Sequence, residues 1–209
     1  MKNACEGVLY PQNASSCITL KPSLEEPTSQ QRPRLVELKC KNKGNDHKLE
    51  GILVPHKSWQ YCKEELETIF SCIKTNPDEN NIIFVLAPLH KGPILTEEKT
   101  NNKIYCPQDG SLKGSDWEIK LKTPQEIKPF VEQNDDVCTE EHSLEVIAPF
   151  IYKTFPRAHV CYLLASNGTE ENTEEICKIT SIIGRFYPNS IIFLSSNEET
   201  NCASMWKKD

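Results

Sequence analysis

Long apolar runs are missing from this sequence. Ile82–Ala87 is typical of its apolar stretches, far short of the roughly 20 residues that a membrane-spanning helix needs. Basic excess is missing too: 24 Lys+Arg stand against 30 Asp+Glu, for a formal charge of −6. No cationic stripe is left over to displace counterions from a phosphate backbone, so nucleic acid is not an expected partner. Glycine is scarce, at 8 in 209 residues, and no phosphate-cradling loop, dinucleotide fingerprint or nucleophile elbow is present. The N-terminus Met1–Gly7 carries no apolar core of a signal peptide. The ten cysteines never stand in a C-x-x-C spacing, which excludes zinc knuckles and thioredoxin-like motifs. They read as reduced thiols serving as small hydrophobes, with Cys161 and Cys177 inside apolar patterns. A cytoplasmic protein without membrane contact is the expectation.

What is present alternates. Leu35–Leu38 reads as a strand between Pro-rich and Lys/Asn-rich loops, and short apolar runs follow at Ile52–Val54, Ile82–Leu86, Val160–Leu164 and Ile191–Leu194. Between them lie stretches with helical spacing. Trp59–Ile73 places Tyr61, Cys62, Leu66, Ile69, Phe70 and Ile73 on one face, Ser143–Phe155 repeats the pattern with Pro149 as a kink, and Glu174–Phe186 turns Ile176, Ile179, Ile183 and Phe186 inward. Residues 91–118 read as an irregular loop or small hairpin. Continuous apolar strands alternating with helices predict a single α/β domain, 1–209, with a largely parallel central sheet and helices on both faces. Residues 201–209 read as a polar tail.

In such folds the working crevice lies beyond the carboxyl ends of the strands. His56 follows the run ending at Val54, His90 follows Ile82–Leu86, and Ser195-Ser-Asn197 follows Ile191–Leu194. Two converging imidazoles begin a metal site but do not complete one, since zinc wants three protein ligands and ferrous iron a carboxylate. The same residues also fit histidines that merely hydrogen-bond a loop. His142, at the start of a helix that Ser143 can cap, has Glu141 and Glu145 near it as candidates to orient its ring.

These segments resemble a known family. Val54-Pro-His56-Lys-Ser-Trp59 is similar to the A-P-H-A-G-Y strand end of Memo-like proteins, also called AmmeMemoRadiSam system protein B. Ala87-Pro-Leu-His90-Lys91 resembles their G-P-S-H-H segment, and Glu141–Phe150 their E-H-S-L-E-x-x-L-P-F helix. Ile191–Asn197 resembles their S-S-D-x-x-H strand end, and Glu6–Pro11 their A-G-x-F-Y-P opening, so the motifs span residues 6 to about 200. The resemblance implies the fold of class III extradiol dioxygenases, with a non-heme metal held by residues placed like His56 and His90 and one from a C-terminal segment.

Against that pattern the sequence departs at several positions. Asn197 replaces the strand-end aspartate, Thr200 stands at the following histidine position, and Ser58 replaces a glycine. Lys91 stands where a second histidine is usual, and a cation there opposes a bound metal ion. The third ligand is expected to be absent with the C-terminal segment, unless Cys202 or water supplies it. The expected site is therefore a pocket of His56, His90, Asn197, Thr200, Trp59 and Lys91, with His56 and His90 as an incomplete metal pair and His142 as candidate catalytic residue. A binding or scaffold module is expected, with an unknown protein or small molecule as partner and no cofactor or a weakly bound iron or copper. A metal-dependent oxidoreductase of dioxygenase-like type is the alternative.

Overall fold

Residues that alternate in and out along a strand between two helical layers must be apolar on both sides. Ile82–Pro88 meets that condition, with Ile83, Val85 and Ala87 in one buried apolar cluster and Phe84 and Leu86 in another. The structure, a computed structural model, describes residues 35–39, 48–73, 82–90, 103–166 and 170–196. Its strands are β1 (Leu35–Lys39), β2 (Lys48–Pro55), β3 (Ile82–Pro88), β4 (Ile104–Cys106), β5 (Gly110–Lys113), β6 (Glu118–Leu121), β7 (Glu132–Gln133), β8 (His159–Ala165) and β9 (Ile191–Ser196). Its helices are α1 (Trp59–Ser71), α2 (Asp135–Glu140), α3 (Ser143–Thr154) and α4 (Glu170–Phe186).

The four apolar runs lie side by side. The sheet order is β1-β2-β9-β3-β8-β4-β7, and the contacts β2–β9, β9–β3 and β3–β8 are all parallel. β1 and β4 join it antiparallel, and the hairpin β5–β6 attaches through β6 to the start of β8. This is a mostly parallel α/β sheet. On one face α1 and α3 bury Leu66, Phe70, Ile147 and Phe150 against Phe193 and Tyr162. On the other, α4 buries Ile176, Ile179 and Ile183 against Cys161, Leu163 and Ile192. Among the described residues, no helix is long and apolar enough to cross a membrane.

Three inward assignments need correction. Tyr61 is 74 % exposed, because the buried stripe runs Cys62, Leu66, Ile69, Phe70 and Tyr61 sits one residue, about 100°, off its axis. Phe186 is half exposed beside Arg185; the inward place one turn after Ile183 goes to Tyr187, whose ring meets Phe84 edge-on. Cys177 is exposed, unlike the buried Cys161. Of the segment 91–118, expected as an irregular loop or small hairpin, the described part holds the short strand β4 and the start of the β5–β6 hairpin, and α3 runs through Pro149 to Thr154.

Candidate metal centre

Proline closes both strands that deliver the first two histidines. Pro55 ends β2 and His56 follows at once. Pro88 ends β3, Leu89 makes a last ladder bond from its N–H to the Ala165 carbonyl (2.8 Å), and His90 comes next. The third histidine, His142, stands at the N-cap position of α3, with no capping bond from its side chain. Parallel strands thus release His56 and His90 at the same edge of the sheet, and α3 starts beside them.

There the three imidazoles meet. Ring centroids are 4.6 Å apart for His56–His90, 5.1 Å for His56–His142 and 5.4 Å for His90–His142. One ligand atom from each, with one oxygen of Glu141, all lie within 4.8 Å of one another. This is the one such group among the described residues. His56 is 4 % exposed and Glu141 is 2 % exposed, whereas the His90 and His142 side chains are 42 % and 29 % exposed. The cluster is closed at the bottom and open on one side.

Glu141 organises the group. Its Oε2 accepts from the His90 backbone N–H (2.9 Å) and meets the His90 ring at Nδ1 (2.8 Å). Its Oε1 accepts from the N–H groups of His142 (2.9 Å) and Ser143 (3.1 Å) and from the Ser143 hydroxyl (2.6 Å). Burial pushes this carboxyl up, but the hydrogen bonds from His90 and Ser143 outweigh it and hold the pKa at about 2. The reciprocal effect raises the His90 pKa, chiefly through the bond to Glu141. Burial, with the neighbouring His90 ring, lowers His56 to about 4, and burial lowers His142 as well. His56 is neutral at pH 7. Its Nδ1 meets the Ser195 hydroxyl at 2.7 Å, while its Nε2 is buried with no hydrogen-bond partner.

One expectation about α3 changes. Ser143 does not cap the helix; it is the first helical residue, so its N–H is one of the donors that a helix start leaves free, and Glu141 satisfies it. The Glu141 side chain also holds the His90 ring, 51 residues away in sequence, at 2.8 Å, closer than the adjacent His142 ring, whose Nδ1 stands 3.6 Å away. Trp59 is tied to α3, donating from Nε1 to the Val146 carbonyl (3.0 Å) and packing on Phe150. Lys91, Asn197, Thr200 and Cys202 lie outside the described residues. Sequence reading missed the Ser195–His56 and Glu141–His90 partnerships. The Glu-His-Ser triplet at a helix start carried a signal for Glu141, and nothing local carried one for Ser195.

Fold and site together define an α/β protein with imidazoles and a carboxylate gathered at the carboxyl ends of parallel strands. A family model described as Memo-like protein matches residues 2–198, and the chain belongs to the Memo-like family. No curated protein matches it.

Proposed function

We propose that this Memo-like chain binds one divalent transition-metal ion through His56, His90 and His142. The observation that carries the reading is the buried, unpartnered Nε2 of His56, turned loose in a group whose other donors are two further imidazoles. A polar atom buried without a partner costs about 1–3 kcal/mol, and a metal ion at this position removes that cost. Neutral imidazole suits zinc, copper, iron and nickel, and His56 is held neutral by its burial. When bound, such an ion supplies Lewis acidity, or electron transfer if it is iron or copper. The chain's own part is to keep Glu141 ionised, to hold the rings together, and to leave His90 accessible so that a small ligand can approach.

A third imidazole supports a working site over a vestigial one, because the incomplete pair expected from sequence lacked that donor. The second reading, a binding module without turnover, is favoured by the departures at Lys91, Asn197 and Thr200. Iron, copper and zinc measured together on anaerobically purified protein separate the two. About one ion per chain, lost in His56→Ala, is expected for three protein ligands; metal well below that level and unchanged by the substitution supports the binding module.

A further inference from the structure

We propose that Ser195 and Glu141 are positioning residues, each occupying the Nδ1 edge of one histidine so that Nε2 of His56 and of His90 is the atom offered to a shared ion. The inference rests on the metal-binding reading and goes beyond it by dividing the group into ligands and supports. Ser195 lies opposite Val54 in the parallel pair β2–β9, so the sheet itself delivers its hydroxyl to the end of β2, where His56 begins the loop. A hydroxyl can donate or accept. Were Ser195 the donor, His56 would carry its proton on Nε2, buried, without an acceptor, and aimed at two other imidazoles. With Ser195 accepting from Nδ1–H, the Nε2 lone pair faces the cluster and an ion completes it.

Glu141 settles His90 more strongly. An ionised carboxylate accepts and cannot donate, so the 2.8 Å contact requires the proton on Nδ1 of His90 and leaves Nε2 as the ligand atom. Its two oxygens already serve five donors, from His90, His142 and Ser143. A carboxylate has about four lone-pair sites, so none remains to bind metal. Glu141 therefore belongs behind the ligands, as metal-bound histidines commonly have a carboxylate behind them. Among the described residues, the ion's ligands are nitrogen alone, not two histidines and a carboxylate. The two supports differ in charge: Glu141 makes His90 the more basic ligand, while neutral Ser195 fixes direction without adding charge.

Two measurements test this. Long-range nitrogen–proton NMR on the metal-free full chain, at a pH above the ordinary histidine range, reports which nitrogen of each ring carries the proton. Nδ1–H on both His56 and His90 is expected, and Nε2–H on either overturns the proposal for that residue even if no variant folds. Zinc titration against a competing chelator then compares variants. Ser195→Ala and Glu141→Gln are expected to weaken zinc about 10- to 100-fold, as loss of a supporting partner does. Ser195→Thr, which keeps the hydroxyl, is expected to restore affinity, and His56→Ala is expected to lose more than either. Unchanged zinc affinity in folded Ser195→Ala and Glu141→Gln, with affinity lost in His56→Ala, overturns the positioning roles and leaves the metal site standing. Unchanged affinity in His56→Ala overturns the metal-binding reading itself.

Discussion

A histidine that is buried and neutral makes stability depend on pH in a definite direction. In the folded metal-free protein His56 titrates at about 4 against an ordinary value of 6.5, so between those pH values the unfolded chain binds more protons. Stability is fully present above 6.5 and falls as pH drops towards 4. The ceiling for this residue is about 3 kcal/mol, since each tenfold change in proton affinity is worth about 1.4 kcal/mol. His142, also lowered, adds to the loss; His90, raised by Glu141, opposes it by favouring the folded state at acid pH. Glu141 acts lower still, its contribution present above 4.5 and lost towards 2. Urea denaturation of metal-free protein at pH 7, 5.5 and 4.5 is expected to show falling midpoints, with a flatter profile in His56→Leu. A pH profile in His56→Leu that is as steep as that of the wild type contradicts the burial assigned to His56. At this scale the three histidines were legible because each follows a strand or opens a helix. Their partners were not, since a contact from His56 to Ser195 spans 139 residues and depends on strand order.

Helices and hairpins offer sharper tests of packing. The buried stripe of α1 makes Leu66→Ala a cavity mutation, expected to cost about 2–5 kcal/mol. Tyr61→Ser, at an exposed position five residues earlier, is expected to stay within about 0.5 kcal/mol. Denaturant midpoints of the pair check the helix phase, and equal effects would mean the stripe is misplaced. In the β5–β6 hairpin a methyl group at Gly114 would come within 2.1 Å of the Trp117 indole nitrogen, and Trp117 is almost fully buried. Gly114→Ala is expected to push the indole outward, lowering the melting temperature and red-shifting tryptophan emission; an unchanged spectrum contradicts that packing. The long elements were readable because their apolar spacing repeats over several turns or strand residues. β4, β5, β6 and β7 were not, since each has four residues or fewer and draws its stability from neighbours already in the sheet. Helical spacing assigns Tyr61 and Phe186 inward, but each stands at the edge of its helix's buried stripe, where a one-residue offset decides burial.

For the whole molecule, strand order does the functional placing. β2, β9, β3 and β8 are distant in sequence, yet their parallel pairing brings the ends of β2 and β3 and the start of α3 to one edge. Alternation of apolar runs with helices was enough to infer a parallel sheet and hence the edge where chemistry gathers. It was not enough to complete the donor set, because the membership of His142 depends on how α3 docks, through Trp59 on Val146 and Glu141 on His90. X-ray absorption on the zinc-loaded full chain tests most directly whether His56, His90 and His142 hold one ion together. The expected spectrum shows three imidazole nitrogens at about 2.0–2.1 Å and no sulfur. A sulfur ligand at about 2.3 Å, or fewer than three imidazoles, would contradict the three-histidine centre.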